Sequence, residues 1–340
     1  WRCTTPAKIN LFLEVLGKRS DGYHDLDTVM HAIDLTDTLE IFPSSNSALT
    51  MSIDFSNAQQ IERPSTPAPD PAWDIPSNRS NLILKALETL RNSLDQKSIN
   101  TGAHVILRKR IPSQAGLGGG SSNAAAALLL GSLLWTNQIP AELLSQIAMQ
   151  LGSDINFFLD GHNGLNWTAR CTGRGERVQP VPNYSNLYGV LVHPPQGCNT
   201  GAVFSELSKQ LACDLPAKSP SDLLKLLSEE SALATESPPQ QSQRSEKLAS
   251  MLYNALESAA KRTSDWVQRT SYRLEQHQPV GHCLTGSGSA RFCLCSGQAQ
   301  AETLSEILRK EGDLRVYTFR TWNTPSISQQ WSEMHRDGHY

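Results

Sequence analysis

The chain lacks several features that would assign it to a special class of protein. None of its apolar runs approaches the roughly 20 residues that a membrane-spanning helix needs. Its formal net charge is only −3, without the excess of basic residues that nucleic acids or anionic membranes attract. We therefore expect neither a nucleic acid nor a membrane as a partner. The composition, 39% hydrophobic and 19% charged, is that of a globular protein.

Cysteine spacing gives no support for a cross-linked or metal-bound fold. The chain has seven cysteines, an odd number, and none of them form a C-x-x-C pair. Cys293 and Cys295 stand in an apolar run, where alternate residues share one face of a strand. Buried, reduced thiols in the cytosol are therefore favoured over a disulfide framework or a zinc site.

No targeting segment is visible in the sequence. The chain begins at Trp1 and shows neither a signal peptide nor a transit peptide. We expect a bacterial cytoplasmic protein, although a plastid location stays open because a targeting segment could precede Trp1. We also expect a monomer or a weak homodimer.

The N-terminal half mixes strand and helix patterns. Residues 7–16 predict a strand and residues 28–42 a strand pair, whereas apolar spacing predicts helices over 81–94, 122–135 and 141–151. The proline-rich residues 56–80 are predicted to form an exposed loop. Helices and strands thus share this half without a repeating unit.

The C-terminal half continues the mixture. Turn signals predict a hairpin over 164–181, and one amphipathic helix is predicted over 247–260. The polar residues 214–247 are predicted to include a surface loop. The whole pattern predicts an α+β fold with two layers. We expect the seam between two domains near 160–185, with one domain over 1–165 and the other over 166–340.

A glycine-rich loop precedes the Ala/Leu helix pattern, in PSQAGLGGGSSNAAAALLL from Pro112. Glycine is chosen where the backbone adopts conformations that a side chain forbids. Such a loop at the start of a helix points several N–H groups at one spot, and the helix dipole adds partial positive charge there. Phosphate is the ligand that this arrangement predicts.

Two common phosphate loops fit this stretch poorly. A Walker loop needs Gly-Lys-Ser/Thr at the helix start, but Gly120 is followed by Ser121. A Rossmann turn needs an acid about 20 residues on, and Glu142 stands at the start of the next predicted helix. A purely structural turn is the remaining alternative. A second glycine turn, LTGSGSARF from Leu284, would allow both loops to close around one polyanion.

Four motifs in this order resemble the GHMP small-molecule kinases: PAKINLFL from Pro6, DGYH from Asp21, the central glycine loop, and LTGSGSA from Leu284. The resemblance extends over most of the chain. It implies a two-domain fold, with an N-terminal ribosomal-protein-S5-domain-2-like domain and a C-terminal ferredoxin-like α/β sandwich. It also implies ATP as the phosphate donor, Mg²⁺ as the metal and a small-molecule alcohol as the acceptor.

The same resemblance implies the residues that contact ATP, most of them in the central loop. They are Pro112, Ser113, Gln114, Ala115, Gly116, Leu117, Gly118, Gly119, Gly120, Ser121 and Ser122, together with Lys109, Gly286 and Gly288. Asn81 is a further candidate on the adenine side. Mg²⁺ should bridge the phosphates. No protein ligand is assigned to it, although Ser121 or Ser122 could contribute one.

Two charged residues are implied as catalytic. Phosphoryl transfer depends on positioning and charge stabilisation, and an alcohol acceptor must lose a proton. The resemblance implies that Asp154, in LGSDINFF, is the base and that Lys8 is the cation beside it. The structural alternatives are a helix N-cap for Asp154 and a solvated strand edge for Lys8.

The resemblance also implies five residues that contact the acceptor. PAKINLFL followed by DGYH is similar to those family members whose acceptor carries a cytidine diphosphate. This implies that Tyr23 and Phe204 pack on the base, that His24 bonds to it, and that Asn10 and Thr200 contact the polyol. Kinases of homoserine, mevalonate or a sugar remain alternatives, as does a nucleotide-binding protein without catalysis.

Overall fold

The computed structural model describes residues 1–56, 71–94, 101–136, 139–164, 166–181, 187–209, 217–229 and 238–323. Within these residues the chain forms two β-sheets with helices packed around them. None of the helices in these stretches is long and apolar enough to cross a membrane. The six cysteines that lie in them are all buried.

Strands and helices alternate irregularly along the chain. The strands are β1 Arg2–Lys18, β2 His24–Ser44, β3 Leu49–Asp54, β4 Gly102–Arg108, β5 Thr168–Gly173, β6 Arg177–Pro180, β7 Tyr188–His193, β8 Tyr253–Asn254, β9 Gly281–Leu284, β10 Arg291–Cys295 and β11 Arg315–Arg320. The helices are α1 Leu82–Ser93, α2 Gly119–Trp135, α3 Ala141–Leu151, α4 Ile155–His162, α5 Thr200–Ser208, α6 Ser221–Glu229, α7 Pro238–Ala249, α8 Glu257–Thr263, α9 Asp265–Gln276 and α10 Gln298–Lys310. A short 3₁₀ turn covers Pro71–Trp73.

The first sheet is built on two long strands, β1 and β2, which pair antiparallel along almost their whole length. One half of β2 pairs with β5 and the other half with β4, so β2 spans the sheet. The predicted strand pair over 28–42 is therefore wrong, because this segment is the middle of one strand. The pairing of β1 with β2 shifts register at three places, and the two strands stay paired across each shift.

The second sheet has four antiparallel strands in the order β11–β7–β10–β9. This is the ferredoxin-like order that the family resemblance implied, with α10 packed against β7, β10 and β11. Strands β5 and β6 follow residue 165 but pair with the first sheet. The division into 1–165 and 166–340 stays a prediction.

Helix α2 occupies the centre of the first core. Its Ala and Leu residues are mostly buried, and it packs against α1, α4, β1 and β2. The helix begins at Gly119, three residues before the predicted start, because Gly118 in the left-handed conformation (φ 70°) ends the loop there. The Lys8 N–H donates to the Leu117 carbonyl at 2.9 Å. The start of α2 is thereby attached to the middle of β1.

The single helix predicted over 247–260 is wrong, since α7 ends at Ala249 and α8 starts at Glu257. Between them, Asn254 donates through Nδ2 to the Leu284 and Gly286 carbonyls at 2.8 and 2.9 Å. Its Oδ1 accepts from the Leu256 N–H. These bonds and the pairing of β8 with β1 replace the helical hydrogen bonds, so tertiary contacts override the local pattern.

The two predicted polar loops are described only in part. Most of 56–80 lies outside the described residues, and the described part of 214–247 is largely α6 and the start of α7. The apolar spacing of Leu223, Leu226 and Leu227 buries one face of α6, which the polar composition of the segment concealed.

Gly161 offers a test of packing in the first core. A Cβ at Gly161 would overlap the ring of the buried Trp167. We expect Gly161→Ala to lower the free energy of unfolding by about 1–3 kcal/mol, the usual effect of overpacking a core. Urea denaturation followed by circular dichroism measures it.

Gly120→Ala is the matched control, because a Cβ at this helical position meets no atom within 4 Å. It should leave stability unchanged or raise it by up to about 1 kcal/mol. Equal effects of the two substitutions would contradict the packing described for Gly161.

Candidate functional site

The two glycine loops touch each other, although they are far apart in the sequence. Gly116 has φ 76°, and a Cβ there would overlap the Thr285 carbonyl. A Cβ on Gly286 would lie 3.2 Å from the Gly116 Cα, and the Ala290 N–H donates to the Ala115 carbonyl at 3.2 Å. The backbones approach so closely that only glycine fits at the contact. Both motifs therefore belong to one site.

Asn10 and Thr285 join these loops to β1. The Asn10 N–H donates to the Thr285 hydroxyl at 3.2 Å, and that hydroxyl donates to the Gly116 carbonyl at 3.2 Å. The Gly286 N–H donates to Asn10 Oδ1 at 2.9 Å, and Asn10 Nδ2 donates to Thr28 at 2.8 Å. Thr285 was not among the predicted site residues, although it stands beside the glycines of LTGSGSA.

Lys8 and Asp154 lie side by side where the loops meet. The Lys8 ammonium donates to Asn10 Oδ1 at 2.7 Å and is 3.7 Å from Asp154 Oδ2. Lys8 is buried, whereas the Asp154 side chain is 23% exposed. Burial lowers the pKa of Lys8, and the Asp154 carboxylate opposes that shift. The pair is thus buried on its cationic side and open to a ligand on its anionic side.

Neither structural alternative describes these two side chains. Lys8 does not stand on a solvated edge, because its side chain is 4% exposed and its backbone N–H donates to the Leu117 carbonyl of the central loop. Asp154 precedes α4, but its side chain makes no capping bond to that helix. Its Oδ1 instead accepts from the Ser153 hydroxyl at 3.2 Å. The carboxylate is therefore available to accept a proton beside a fixed cation.

A cavity of about 290 Å³ lies against the central loop. Its wall includes Lys109, Asn81 and every predicted loop residue from Pro112 to Ser121. The side chain of Asn81 also caps α1, since it accepts from the Ile83 N–H at 2.9 Å. The first N–H groups of α2 have no side-chain cap. Uncapped N–H groups at a helix start suit the oxygens of a polyphosphate.

Three predicted donor residues stand away from that cavity wall. Ser122 is fully buried, and its hydroxyl has no hydrogen-bond partner among the described residues. Gly286 lies at the contact of the two loops, and a Cβ built on it would lie 3.5 Å from Lys8 Nζ. Gly288 packs against Leu284 and Cys198. Gly288 is therefore placed to shape the second loop behind the contact.

A buried ion pair holds the entry to the central loop. The Lys109 ammonium donates to Asp37 Oδ2 at 2.6 Å and also to the Ile111 carbonyl. Asp37 Oδ1 accepts from the N–H groups of Arg110 and Ile111, and Oδ2 accepts from Asn123 Nδ2 at 2.9 Å. Burial lowers the pKa of Lys109, and Asp37 opposes the shift. Asp37 thereby fastens the loop at its entry and at α2.

Asp37 was not among the predicted site residues. The sequence did contain a signal, since Asp37 stands in an apolar strand pattern. A carboxylate that is buried in such a strand requires partners for its charge. The Lys109 ammonium is engaged by Asp37, which places this lysine in the wall of the cavity with its charge already compensated.

A second cavity, of about 600 Å³, lies beside Asp154. Tyr23, His24, Thr200 and Phe204 line it, and Ser153 brings it next to Asp154. The His24 ring stacks on the Phe204 ring, with centroids 4.8 Å apart and planes tilted by 26°. Burial, and to a lesser extent Lys18, lower the pKa of His24. Four of the five predicted acceptor residues thus share one cavity.

The two cavities are connected through the second glycine loop. The Thr200 hydroxyl lies 2.8 Å from the Ser287 hydroxyl, and the neighbouring Gly286 contacts Gly116 of the central loop. Asn10, the fifth predicted acceptor residue, lies between the loops and Lys8, where both polar atoms of its side chain are bonded.

Removing the Asp37 carboxylate tests the buried ion pair. Asp37→Asn leaves the Lys109 ammonium buried without a counter-ion, so we expect the free energy of unfolding to fall by about 3–5 kcal/mol. Lys109→Met in the same chain should recover part of this loss, because no unpaired charge then remains. Urea denaturation of both single variants and the double variant measures the coupling free energy between Asp37 and Lys109. Strictly additive losses of stability would contradict the ion pair.

Asp160 on α4 predicts a pH dependence of stability. Partial burial raises the pKa of this carboxyl from 3.8 to about 6. The folded protein then binds the proton more tightly, so the contribution of Asp160 is full below pH 4 and is lost as pH rises through 6. We expect Asp160→Asn to be more stable than the parent by about 1–2 kcal/mol at pH 8. Thermal or urea unfolding should show that the difference in stability vanishes near pH 4. A difference that does not change with pH would contradict the raised pKa of Asp160.

Comparisons with known proteins agree on one class. The family model described as GHMP kinases N terminal domain matches residues 81–162. The chain is 34% identical to 4-diphosphocytidyl-2-C-methyl-D-erythritol kinase of Rhodopirellula baltica, with 91% of each chain covered. It is 32% identical to the enzyme of that name from Pelotomaculum thermopropionicum, with 93% of this chain and 96% of the relative covered.

Solved structures give the same result. A crystal structure of 4-(cytidine 5'-diphospho)-2C-methyl-D-erythritol kinase matches with a TM-score of 0.69 and 28% identity, covering 95% of this chain and all of the other. A homoserine kinase from Cytophaga hutchinsonii matches with a TM-score of 0.61 at 15% identity, covering 96% of each chain. The second match shows a shared fold only.

Proposed function

The chain belongs to the 4-diphosphocytidyl-2-C-methyl-D-erythritol kinases, a family within the GHMP kinases, and we propose that Lys8 and Asp154 carry its chemistry. The enzyme transfers the terminal phosphate of ATP to the 2-hydroxyl of 4-diphosphocytidyl-2-C-methyl-D-erythritol, in the methylerythritol phosphate route to isoprenoids. The products are ADP and the 2-phosphate. The observation that carries the residue assignment is the Lys8–Asp154 pair at the meeting point of both glycine loops.

The donor phosphates are proposed to lie along the central loop. The uncapped N–H groups at the start of α2 face the cavity and would donate to phosphate oxygens, while the helix dipole adds positive charge. Asp37 and Lys109 keep this loop in place, because they bind its entry and the second turn of α2. The nucleotide would thus be held mostly by backbone N–H groups of the loop, next to Lys8.

Mg²⁺ is proposed to arrive with the nucleotide. When bound, the ion would offset the negative charge of the phosphates. In the described stretches, no three His, Cys, Asp or Glu side chains lie close enough together to hold a metal ion. Mg²⁺ often keeps few protein ligands and several water molecules. The hydroxyls of Ser121 and Ser122 are the candidate ligands, and the Ser122 hydroxyl is buried without a described partner.

Asp154 is proposed to take the proton of the 2-hydroxyl. Its carboxylate is partly exposed, lies 3.7 Å from the Lys8 ammonium, and directly follows Ser153 in the wall of the acceptor cavity. Lys8 then stabilises the negative charge on the acceptor oxygen and on the transferred phosphoryl group. Because Asn10 also accepts from Lys8, the ammonium keeps one position while the acceptor changes charge.

The cytidine end is proposed to occupy the cavity lined by Tyr23, His24 and Phe204. The pyrimidine would pack on Tyr23 and Phe204, while His24 bonds to the base edge. Since His24 already stacks on Phe204, its ring must turn away when the base enters. That movement leaves His24 at the edge of the base, where its ring nitrogens meet the polar atoms.

Two alternatives are less well supported. The homoserine and mevalonate kinases match at 15–16% identity, which indicates the fold and not the acceptor. A nucleotide-binding protein without catalysis would have no need for a cation and a carboxylate side by side at the loop contact. All site residues come from one chain, and we propose a monomer or a weak homodimer.

Substitution of the pair tests the proposed chemistry. With ATP and 4-diphosphocytidyl-2-C-methyl-D-erythritol, Asp154→Asn and Lys8→Met should each lower kcat by about 10²–10⁴-fold. Asp160→Asn, on the same helix, is the matched control and should keep the parental kcat. ADP release in a coupled assay measures all four proteins.

Two outcomes would contradict the assignment. Parental turnover by Asp154→Asn would exclude this carboxylate as the base. Turnover of homoserine, mevalonate or galactose, without turnover of the cytidylyl substrate, would exclude the acceptor.

A further inference from the structure

Arg174 stands in the wall of the acceptor cavity. It belongs to the turn between β5 and β6, which is fixed by the bond from its own N–H to Glu176 Oε2 at 2.6 Å. Its guanidinium lies over the Tyr23 ring, 4.9 Å from the centroid. The next residue, Gly175, is close to Asp154, because a Cβ built on it would lie 3.6 Å from Asp154 Oδ1. Arg174 therefore connects the ring end of the cavity with its catalytic end.

The charge lining this cavity is entirely positive. Arg174 and Lys18 are its cationic side chains, and no Asp or Glu is among the described residues that form its wall. Arg174 Nη2 donates to the Met149 carbonyl at 2.9 Å, which fixes the guanidinium in place. Its Nε and Nη1 have no hydrogen-bond or ion-pair partner among the described residues. The exposed Asp21 carboxylate interacts with Arg174 electrostatically but is hydrogen-bonded to Arg19 and to the Tyr23 N–H. A fixed guanidinium with free donors is suited to bind phosphate oxygens.

The order of the groups along the acceptor matches this arrangement. With the base at Tyr23 and the reacting hydroxyl at Asp154, the diphosphate lies between them, at Arg174. We propose that Arg174 binds this diphosphate and thereby selects a nucleoside-diphosphate-linked alcohol over an uncharged one. The inference rests on the proposed function, because that function supplies the two ends of the acceptor.

Inhibition by fragments of the acceptor separates the two contacts that Arg174 makes. Cytidine occupies only the ring end, whereas CDP also carries the diphosphate. Arg174→Met keeps an unbranched side chain and removes the charge, Arg174→Lys keeps the charge, and Arg177→Met removes an exposed arginine from the same hairpin outside the cavity. Inhibition constants are measured against the cytidylyl substrate at saturating ATP, which keeps CDP out of the donor cavity.

The expected result is selective. Arg174→Met should raise the inhibition constant of CDP and the KM of the acceptor about 10-fold or more, the size of a lost charge-assisted hydrogen bond. The inhibition constant of cytidine, the KM of ATP and kcat should change less than about 3-fold. Arg174→Lys should recover part of the CDP affinity, and Arg177→Met should match the parent.

Two results would overturn the inference. An equal rise for cytidine and CDP would mean that Arg174 acts only by supporting the Tyr23 ring, and unchanged constants would mean that it binds no part of the acceptor. Both results require that the parent turn over the cytidylyl substrate. Absence of that turnover would instead contradict the proposed function itself.

Discussion

The buried ammonium of Lys8 is the constraint on which the site depends. A cation in the interior of a β-sheet is stable only when nearby groups compensate its charge and accept its hydrogen bonds. Asn10 supplies the hydrogen-bond acceptor, and Asp154 at the start of α4 supplies the opposite charge. The glycines at 118 and 286 leave the space that the lysine side chain occupies. Strand, helix and both loops therefore converge on one charge, and this is where we propose that the reaction takes place.

A second buried ion pair, Lys109 with Asp37, acts on the donor side in the same way. Asp37 receives four hydrogen bonds, which come from Lys109, from two backbone N–H groups and from Asn123 on α2. The glycine loop is bound at both ends by this one carboxylate, so its N–H groups hold their direction despite the freedom of glycine. The structure thus gives the loop its rigidity through a charge that lies outside the glycine motif.

Donor and acceptor cavities are mechanically connected, because the second glycine loop contacts elements of both. Gly286 touches Gly116 on the donor side, and Ser287 bonds to Thr200 on the acceptor side. In the proposed reaction the two substrates must approach within bonding distance of each other, and the loop shared by the two cavities would keep their separation constant. The ferredoxin-like sheet therefore has a direct part in the site, since β9 and β10 carry this loop.

Much of this protein was predictable from the sequence alone, including β1, α2, α3, the β9–β10 hairpin and the residues of both glycine loops. These features depend on apolar spacing and on glycine in consecutive positions, which are local properties. The unbroken β2, the interruption at Asn254 and the roles of Asp37, Thr285 and Arg174 were decided by tertiary structure. Each depends on hydrogen bonds or charges whose partners lie far away in the chain. The free energy of burying a polar group is set by those partners, and no local pattern contains them.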